Sequence, residues 1–300
     1  MSKRGWALFT VMSVVWGLPY LMIKVAVTGV PVPVLVFART AIAAAILLPL
    51  ALRGGRLAGI HRHWRPLLAF AALEIMVPWW LLSDAERHLS SSMSGLLIAA
   101  SPVIAVVLAR LTGGEGRLGG TRVAGLAVGF AGVSLLAAPE LRGGSPWAIT
   151  EVLLCAACYA TGPLIAARWL AAVPALPLTA VCLALTAAVY APATAATWPS
   201  AMPSGRVLAA VVGLAVVCTA LAFVAFFALI REVGPARALV FTYVNPAVAV
   251  VAGVLLLDEP LTATIVASFG LILAGSVLAT GSRRTVEEST VDDLVAVPGR

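Results

Sequence analysis

One carboxylate, Glu74, stands inside the apolar segment FAALEIMVPWW at 70–80. It lies about nine residues after Arg65 and about twelve before Glu86, so a helix rising about 1.5 Å per residue would hold it near the centre of a membrane. Desolvation at that depth favours the neutral form of a carboxyl group. Glu74 is therefore predicted to carry a coupling proton or to bind a cationic substrate. The alternative is a neutral or paired group that only ties helices together.

Aromatic residues stand where they could face a substrate. Trp79 and Trp80 follow Pro78, whose missing N–H favours a kink, and both could stack on an aromatic or cationic substrate. Trp16 and Tyr20, in the segment WGLPY, are one helical turn apart and share a face. All four aromatic residues are candidates for substrate binding, and packing between helices is the alternative for each.

A second charge, Arg39, lies about six residues inside an apolar segment, where a charged group is costly without a partner. Glu74, Asp84 and backbone carbonyls are available to it. A structural or gating ion pair is favoured here over direct contact with a substrate.

The composition requires that the elements carrying these residues lie in a membrane. The 300-residue chain is 61% hydrophobic and only 11% charged, which is more apolar surface than a soluble core of this size could bury. A span needs about 20 apolar residues. We predict ten helical spans, at approximately 6–27, 33–52, 66–86, 91–110, 120–138, 147–168, 176–197, 207–230, 236–256 and 262–281.

Two similar phrases indicate an internal duplication: SPVIAVVLARLTGGEGRL begins at 101 and NPAVAVVAGVLLLDEPLT begins 144 positions later, at 245. Because five helices is an odd number, the second copy must enter the membrane from the opposite side. The predicted fold is therefore an all-α integral membrane protein with two inverted five-helix repeats, at 5–138 and 146–281. Such repeats permit alternating access. The polar tail at 282–300 is expected to be disordered and cytoplasmic.

The duplicated phrases place polar groups beside helix-breaking prolines. Tyr243 and Asn245 precede Pro246 and are candidates for substrate binding, and Ser101 and Pro102 are the inverted equivalent. Prolines at matched depths suit a binding site or a hinge, so Pro246, Ser101 and Pro102 are predicted, like Pro78, to be gating or structural. Simple inheritance from the duplication is the alternative.

The distribution of basic residues predicts the orientation. With a cytoplasmic N-terminus, the outer ends of the spans hold only Arg87, Arg142 and Arg206, and the remaining loops and ends are rich in Lys and Arg. Both termini are therefore predicted to be cytoplasmic. The net charge of +7 reflects this bias, and no nucleic-acid partner is expected.

Catalytic and cofactor signatures are missing from the sequence: it contains no GxSxG, HExxH, P-loop or Rossmann fingerprint. Cys155 and Cys158 have metal-like spacing but lie in an apolar helix with no second pair nearby, so they are predicted to be buried apolar residues. No enzyme activity, metal, cofactor or ATP-driven transport is expected. A glycine face at Gly125, Gly129 and Gly132 is expected to pack within the chain rather than dimerise, although monomer and homodimer both stay open.

Several motifs together resemble the EamA branch of the drug/metabolite transporter superfamily. They are WGLPYLMIK at 16–24, Arg39 in the second span, AERHLSSSMSGLLIAASP at 85–102 and the glutamate-containing loops after the fourth and ninth spans. The resemblance covers about residues 5–281 and implies a ten-helix bundle with a central cavity between the halves. Two departures, GEGRL in place of GERL and CYATGP in the sixth span, weaken transfer of a substrate by analogy.

The predicted function is secondary transport, with export of small metabolites such as amino acids or amphipathic drugs across the inner (plasma) membrane. The solute gradient or protons acting through Glu74 would drive it. The alternative is a translocator of lipid-linked or lipid-headgroup substrates with the same fold.

Overall fold

The computed structural model describes residues 1–53, 59–111 and 119–280, and every regular element in that part of the chain is helical. Within it, nine helices are long and apolar enough to cross a membrane. With the divided ninth crossing, α9, they are labelled in chain order as follows: α1 Lys3–Ala26, α2 Val32–Arg53, α3 Ile60–Ala85, α4 Ser91–Leu108, α5 Gly120–Gly143, α6 Pro146–Trp169, α7 Ala175–Ala196, α8 Gly205–Val233 and α10 Ala263–Thr280.

The ninth crossing, α9, is assembled from three shorter pieces. It begins as Pro235–Ala238, tightens into the 3₁₀ turn Leu239–Tyr243 and continues as the apolar helix Asn245–Leu257. With α9 included, the ten predicted crossings are confirmed for the described residues. The predicted tail at 282–300 and Glu115, in the loop after α4, lie outside them.

Two further helices are interrupted, and two of the three interruptions correspond between the repeats. α1 consists of Lys3–Val15 and Pro19–Ala26, and α4 consists of Ser91–Ile98 and Ser101–Leu111. The break before Ser101 in α4 and the break before Asn245 in α9 lie 144 positions apart, at the depth where the duplicated prolines were expected to loosen the backbone. Proline at the first turn after each break suits a restarting helix.

α3 and α8 each contain a π-helical segment, Ala72–Met76 and Val216–Leu221. These segments also correspond, because Glu74 and Cys218 are 144 positions apart. Pro78 does not explain the pair, since α8 has Ala222 at the equivalent position. The kink expected from Pro78 is therefore better described as a widened turn that both repeats share.

Contacts between the repeats are paired as an internal two-fold axis requires. α2 packs on α7, α4 on α9 and α5 on α10, so each of these helices meets its own counterpart. α3 packs on α6, and the equivalent pair, α8 with α1, is also in contact. This arrangement supports two inverted repeats that share one interior.

The glycine face of α5 packs against α10 of the same chain, as predicted. A Cβ added at Gly132 would lie 2.9 Å from the Ile272 backbone nitrogen, and one added at Gly275 would overlap the backbone of Gly129. Large apolar side chains point away from this bundle; Phe130 and Leu255, for example, are each 71% exposed. A helix that is apolar on both sides can pack against other helices on one side and face lipid on the other.

Gly275→Ala is expected to destabilise the protein by about 1–3 kcal/mol, because the new methyl group must push two helix backbones apart. Gly270→Ala is the matched control on α10, since a Cβ at that position meets nothing within 4 Å. Thermal unfolding of the purified protein in detergent measures both. Equal unfolding temperatures for the two variants would contradict close α5–α10 packing.

Candidate functional site

Arg39 lies in the interior between the repeats and is only 7% exposed. Its guanidinium carbon lies 3.6 Å from the centre of the Trp79 ring, and its Nε donates a 2.9 Å hydrogen bond to the Thr219 hydroxyl. Thr219 belongs to the π-helical segment of α8 and itself donates to the Leu214 carbonyl at 2.7 Å. Arg39 of α2 therefore connects α3 of the first repeat to α8 of the second.

Among the described residues, no carboxylate forms the ion pair expected for Arg39. In the described part of the chain the one salt bridge is Arg87–Asp84, between neighbouring turns. Asp84 is thus occupied elsewhere, and Arg39 is held by an aromatic face and a hydroxyl instead of a carboxylate.

Glu74 contacts α6 of the other repeat. A Cβ added at Gly162 would overlap the Glu74 Oε2 atom, so the carboxyl group rests where that glycine leaves room. Oε2 is buried and has no hydrogen-bond partner among the described residues. A carboxyl group in this setting is suited to hold a proton or to accept a cation.

Trp16 packs among other aromatic rings. Its ring centre lies 5.0 Å from that of Phe226, 5.4 Å from Phe241 and 5.6 Å from Phe223. Its indole nitrogen donates to the Cys218 carbonyl at 3.2 Å. Trp16 therefore joins the interrupted part of α1 to the π-helical segment of α8, and Tyr20, one turn later, packs near Gly95 of α4.

Trp80 lies at the interface of α3 and α7. It stacks on Tyr190 with ring centres 5.7 Å apart and planes 16° apart, and the Tyr190 hydroxyl donates to the Met76 carbonyl at 2.8 Å. Tyr190 thereby holds α3 directly after its widened turn. Adjacent tryptophans thus have different surroundings: Trp79 covers Arg39 and Trp80 packs against a tyrosine.

The interruptions of α1 and α9 touch each other. A Cβ added at Gly17 would lie 2.5 Å from Val248 Cβ and 2.9 Å from the Asn245 carbonyl oxygen. With its amide nitrogen turned toward them, Asn245 donates to the carbonyls of Phe241 at 3.2 Å and Ser13 at 3.0 Å. Asn245 therefore closes the break within α9 and joins it to α1, while Pro246 is buried as the helix restarts.

Two of the remaining predicted residues, Tyr243 and Ser101, form hydrogen bonds within the protein. Tyr243 forms a 3.1 Å hydrogen bond with Thr280, and Ser101 donates to the Ile98 carbonyl at 2.6 Å across the break in α4, just before Pro102. Ser276 of α10 donates to the Ala99 carbonyl of the same break at 3.1 Å.

At the end of the bundle where α4 begins, Glu259 binds four donors of the first repeat. One carboxyl oxygen accepts from the backbone nitrogen (2.7 Å) and hydroxyl (2.9 Å) of Ser91, and the other accepts from the backbone nitrogen (3.0 Å) and hydroxyl (2.5 Å) of Ser92. A Cβ at Gly253 would overlap this carboxylate. We call Glu259, Ser91, Ser92 and Gly253 the end clamp.

Two more charges lie at the same end. Lys24 donates to the backbone carbonyls of Glu86 at 2.7 Å and Leu89 at 2.8 Å. The Glu86 side chain is fully buried, and neither carboxyl oxygen has a partner among the described residues. It interacts electrostatically with Lys24, Arg39 and Glu259.

Comparison with known proteins shows which family this chain belongs to. Residues 3–138 and residues 146–281 each match the model of the EamA-like transporter family. The chain belongs to the EamA-like transporter family. It is thus a membrane transporter, and both the family and the relatives below carry the names of transporters, not enzymes.

Relatives of this EamA-like chain extend over most of its length. It is 30% identical to the protein named "Uncharacterized inner membrane transporter YedA" of Escherichia coli K12, with 91% of this chain and 89% of YedA covered. It is 24% identical to an "Uncharacterized transporter" of Archaeoglobus fulgidus, with 91% and 97% covered. A solved crystal structure at 21% identity has the same fold, with a TM-score of 0.65 over 95% of this chain and all of the other.

Sequence reasoning missed several members of this EamA-like interior. Thr219 and Tyr190 contribute to the interior through contacts between helices that are distant in the sequence. No spacing in the sequence predicts those contacts. Ser91 and Ser92 were visible within the motif SSSMSG, and the glutamate of the duplicated loop was visible too, but their mutual bonding requires the inverted packing of α4 on α9.

Glu259→Gln is expected to loosen the end clamp, because an amide offers one acceptor oxygen where a carboxylate offers two. Each buried group left unsatisfied costs about 1–3 kcal/mol, so hydrogen exchange at the Ser91 and Ser92 amides should accelerate by about tenfold to a hundredfold. Mass spectrometry of a peptide covering these residues measures the change. Asp258→Asn is the control, since its side chain has no bond in the clamp and Asn also tolerates the left-handed backbone at φ 54°. Unchanged exchange in the Gln variant would contradict the clamp.

Proposed function

We propose that this chain is a secondary exporter of small organic metabolites, such as amino acids or amphipathic drugs, driven by protons through Glu74. It would work in the inner membrane, as the name of the YedA relative suggests, with both termini in the cytoplasm. The two inverted halves would open alternately to each side. The observation that carries the proposal is the unpartnered Glu74 carboxyl group at the contact between α3 and α6.

Glu74 suits proton coupling because its surroundings can change as the halves move. In the described arrangement its Oε2 atom is buried, and no donor among the described residues bonds to it. The carboxyl group rests on Gly162 of the second repeat, so relative motion of the repeats would alter its exposure. Admission of water on one side would then favour release of the proton to that side.

The second repeat has no matching carboxylate. Its π-helical segment carries Cys218 where α3 carries Glu74. Of the two corresponding π-helical segments, only that of α3 therefore carries a carboxyl group, and the paired widened turns would supply local flexibility on both sides. Short π-helical segments inside longer helices are frequent at functional sites.

The end clamp supports alternating access and suggests a resting direction. In the orientation that the charge distribution predicts, the clamp would lie at the outer face, and its four hydrogen bonds would hold that face closed. The inverted equivalents of its serines are Pro235 and Ala236, which have no hydroxyl groups, and the equivalent of Gly253 is Ala109. The sequence therefore lacks the parts for the same clamp at the inner face. A carrier that rests open to the cytoplasm is suited to export.

Tyr20 and Trp79 are the aromatic residues we propose to line the transport path, because Trp79 covers Arg39 and Tyr20 is buried against Gly95 of α4. Trp16, Trp80, Tyr243 and Asn245 all contact other protein groups in this arrangement, so their predicted contacts with a substrate would require the path to open.

Glu74→Gln is expected to abolish stimulation of transport by a pH gradient, because an amide cannot take up or release a proton in this range. The measurement is uptake from a mixed pool of amino acids and metabolites by proteoliposomes, read by mass spectrometry with and without the gradient. For the wild type, the gradient should increase accumulation of a few compounds. For the variant, rates with and without the gradient should be equal.

Glu232→Gln is the matched control, since Glu232 is an exposed carboxylate at the end of α8. It should retain the response to the gradient. Gradient-stimulated uptake in Glu74→Gln would remove Glu74 from coupling. Absence of flux for every soluble compound, in the wild type as well, would refute the proposed function and favour translocation of lipid-linked substrates.

A further inference from the structure

We propose that Arg39 binds an oxyanion of the transported solute, a carboxylate or a phosphate group. The inference rests on the proposed function and narrows its substrates to solutes that carry such a group. It replaces the internal ion pair that the sequence suggested for Arg39.

The binding capacity of Arg39 is largely unused. A guanidinium group has five N–H donors, and within the described residues only the one at Nε has a hydrogen-bond partner, Thr219. The terminal nitrogens are the pair that binds carboxylate or phosphate with two parallel hydrogen bonds. No carboxylate in the part of the chain that the structure describes lies within salt-bridge distance of them.

The side chain is also fixed in position. Trp79 covers one face of the guanidinium at 3.6 Å, and the Thr219 hydroxyl holds Nε while its own proton goes to the Leu214 carbonyl. These contacts leave the terminal edge as the part of Arg39 that can meet a ligand. A cation held rigidly before the ligand arrives loses little freedom on binding.

Because Arg39 is buried, an opposite charge beside it would lower its free energy substantially. Arg39 is 7% exposed, and an ionised group removed from water is costly unless an opposite charge accompanies it. A solute anion would supply that charge during transport. Arg39 also contacts both repeats, Trp79 in one and Thr219 in the other, so an anion bound there would lie between the two moving halves.

The competing explanation is an internal ion pair with Glu86 in another state of the carrier. Glu86 is fully buried, lacks a hydrogen-bond partner among the described residues and interacts electrostatically with Arg39. The interior phenols of Tyr20 and Tyr159 interact with Arg39 in the same way, as does the Cys218 thiol of α8. The described residues place no other carboxylate among the groups that act on Arg39.

The test uses solutes in matched pairs: carboxylic acids with their carboxamides, and phosphate monoesters with their parent alcohols. Proteoliposomes take up the mixed pool, and thermal stabilisation of the purified protein by each compound is measured separately. We expect wild-type protein to prefer the acid or the phosphate ester over its uncharged partner by about tenfold or more in both measurements. The preferred series distinguishes a carboxylate from a phosphate ligand.

Arg39→Gln should remove the preference, and Arg39→Lys should restore part of it, because Lys keeps the charge without the two-pronged geometry. Arg206→Gln, at an exposed arginine, should behave like the wild type. The wild-type preference needs no variant and tests the proposal even if Arg39→Gln does not fold. Transport or stabilisation without preference for the anionic partner would overturn the anion site and leave the transporter proposal intact. Absence of both flux and stabilisation for every compound would overturn the two together.

Discussion

Backbone hydrogen bonds in hydrocarbon must be completed within the protein, because lipid tails offer no donors or acceptors. The interruptions and widened turns of this bundle leave carbonyl groups that need partners, and side chains from other helices supply them. The indole nitrogen of Trp16 in α1 donates to the Cys218 carbonyl of α8. The hydroxyl of Tyr190 in α7 donates to the Met76 carbonyl of α3. The hydroxyl of Ser276 in α10 donates to the Ala99 carbonyl at the break in α4. Irregular backbone therefore occurs where helices are joined, and these joints fix the interior of the bundle.

The same constraint explains why the scaffold is symmetric while its chemistry is not. The matching breaks and π-helical segments are backbone features, and both repeats retain them. The side chains inserted at these features have diverged: Glu74 corresponds to Cys218, and Gly253 corresponds to Ala109. Divergence at a few positions places the Glu74 carboxyl group in the first repeat only, and Gly253 of the end clamp in the second repeat only.

Much of the fold could be predicted because membranes constrain sequences strongly. The length and polarity of each span, and the 144-residue offset of the duplicated phrases, lead directly to ten crossings in two inverted halves. The offset also located the breaks at Ser101 and Asn245. The widened turns were not predictable from proline, since α8 has Ala222 where α3 has Pro78.

The site was less accessible from sequence because it depends on which helices meet. Glu74 stood out by its charge, but its contact with Gly162 joins residues 88 positions apart on different repeats. Arg39 was expected to pair with a carboxylate, and the structure gives it Trp79 and Thr219 instead. In both cases residue type indicated that a partner was needed, and only the packing could say which one.

The end clamp also bears on how fast such a carrier can work. In the orientation that we propose, each opening toward the outer face must separate Glu259 from four donors. We therefore expect the conformational step, rather than capture of the solute, to limit turnover. A carrier limited in this way reaches its maximal velocity at low solute concentration, and its rate then depends more on temperature than on supply.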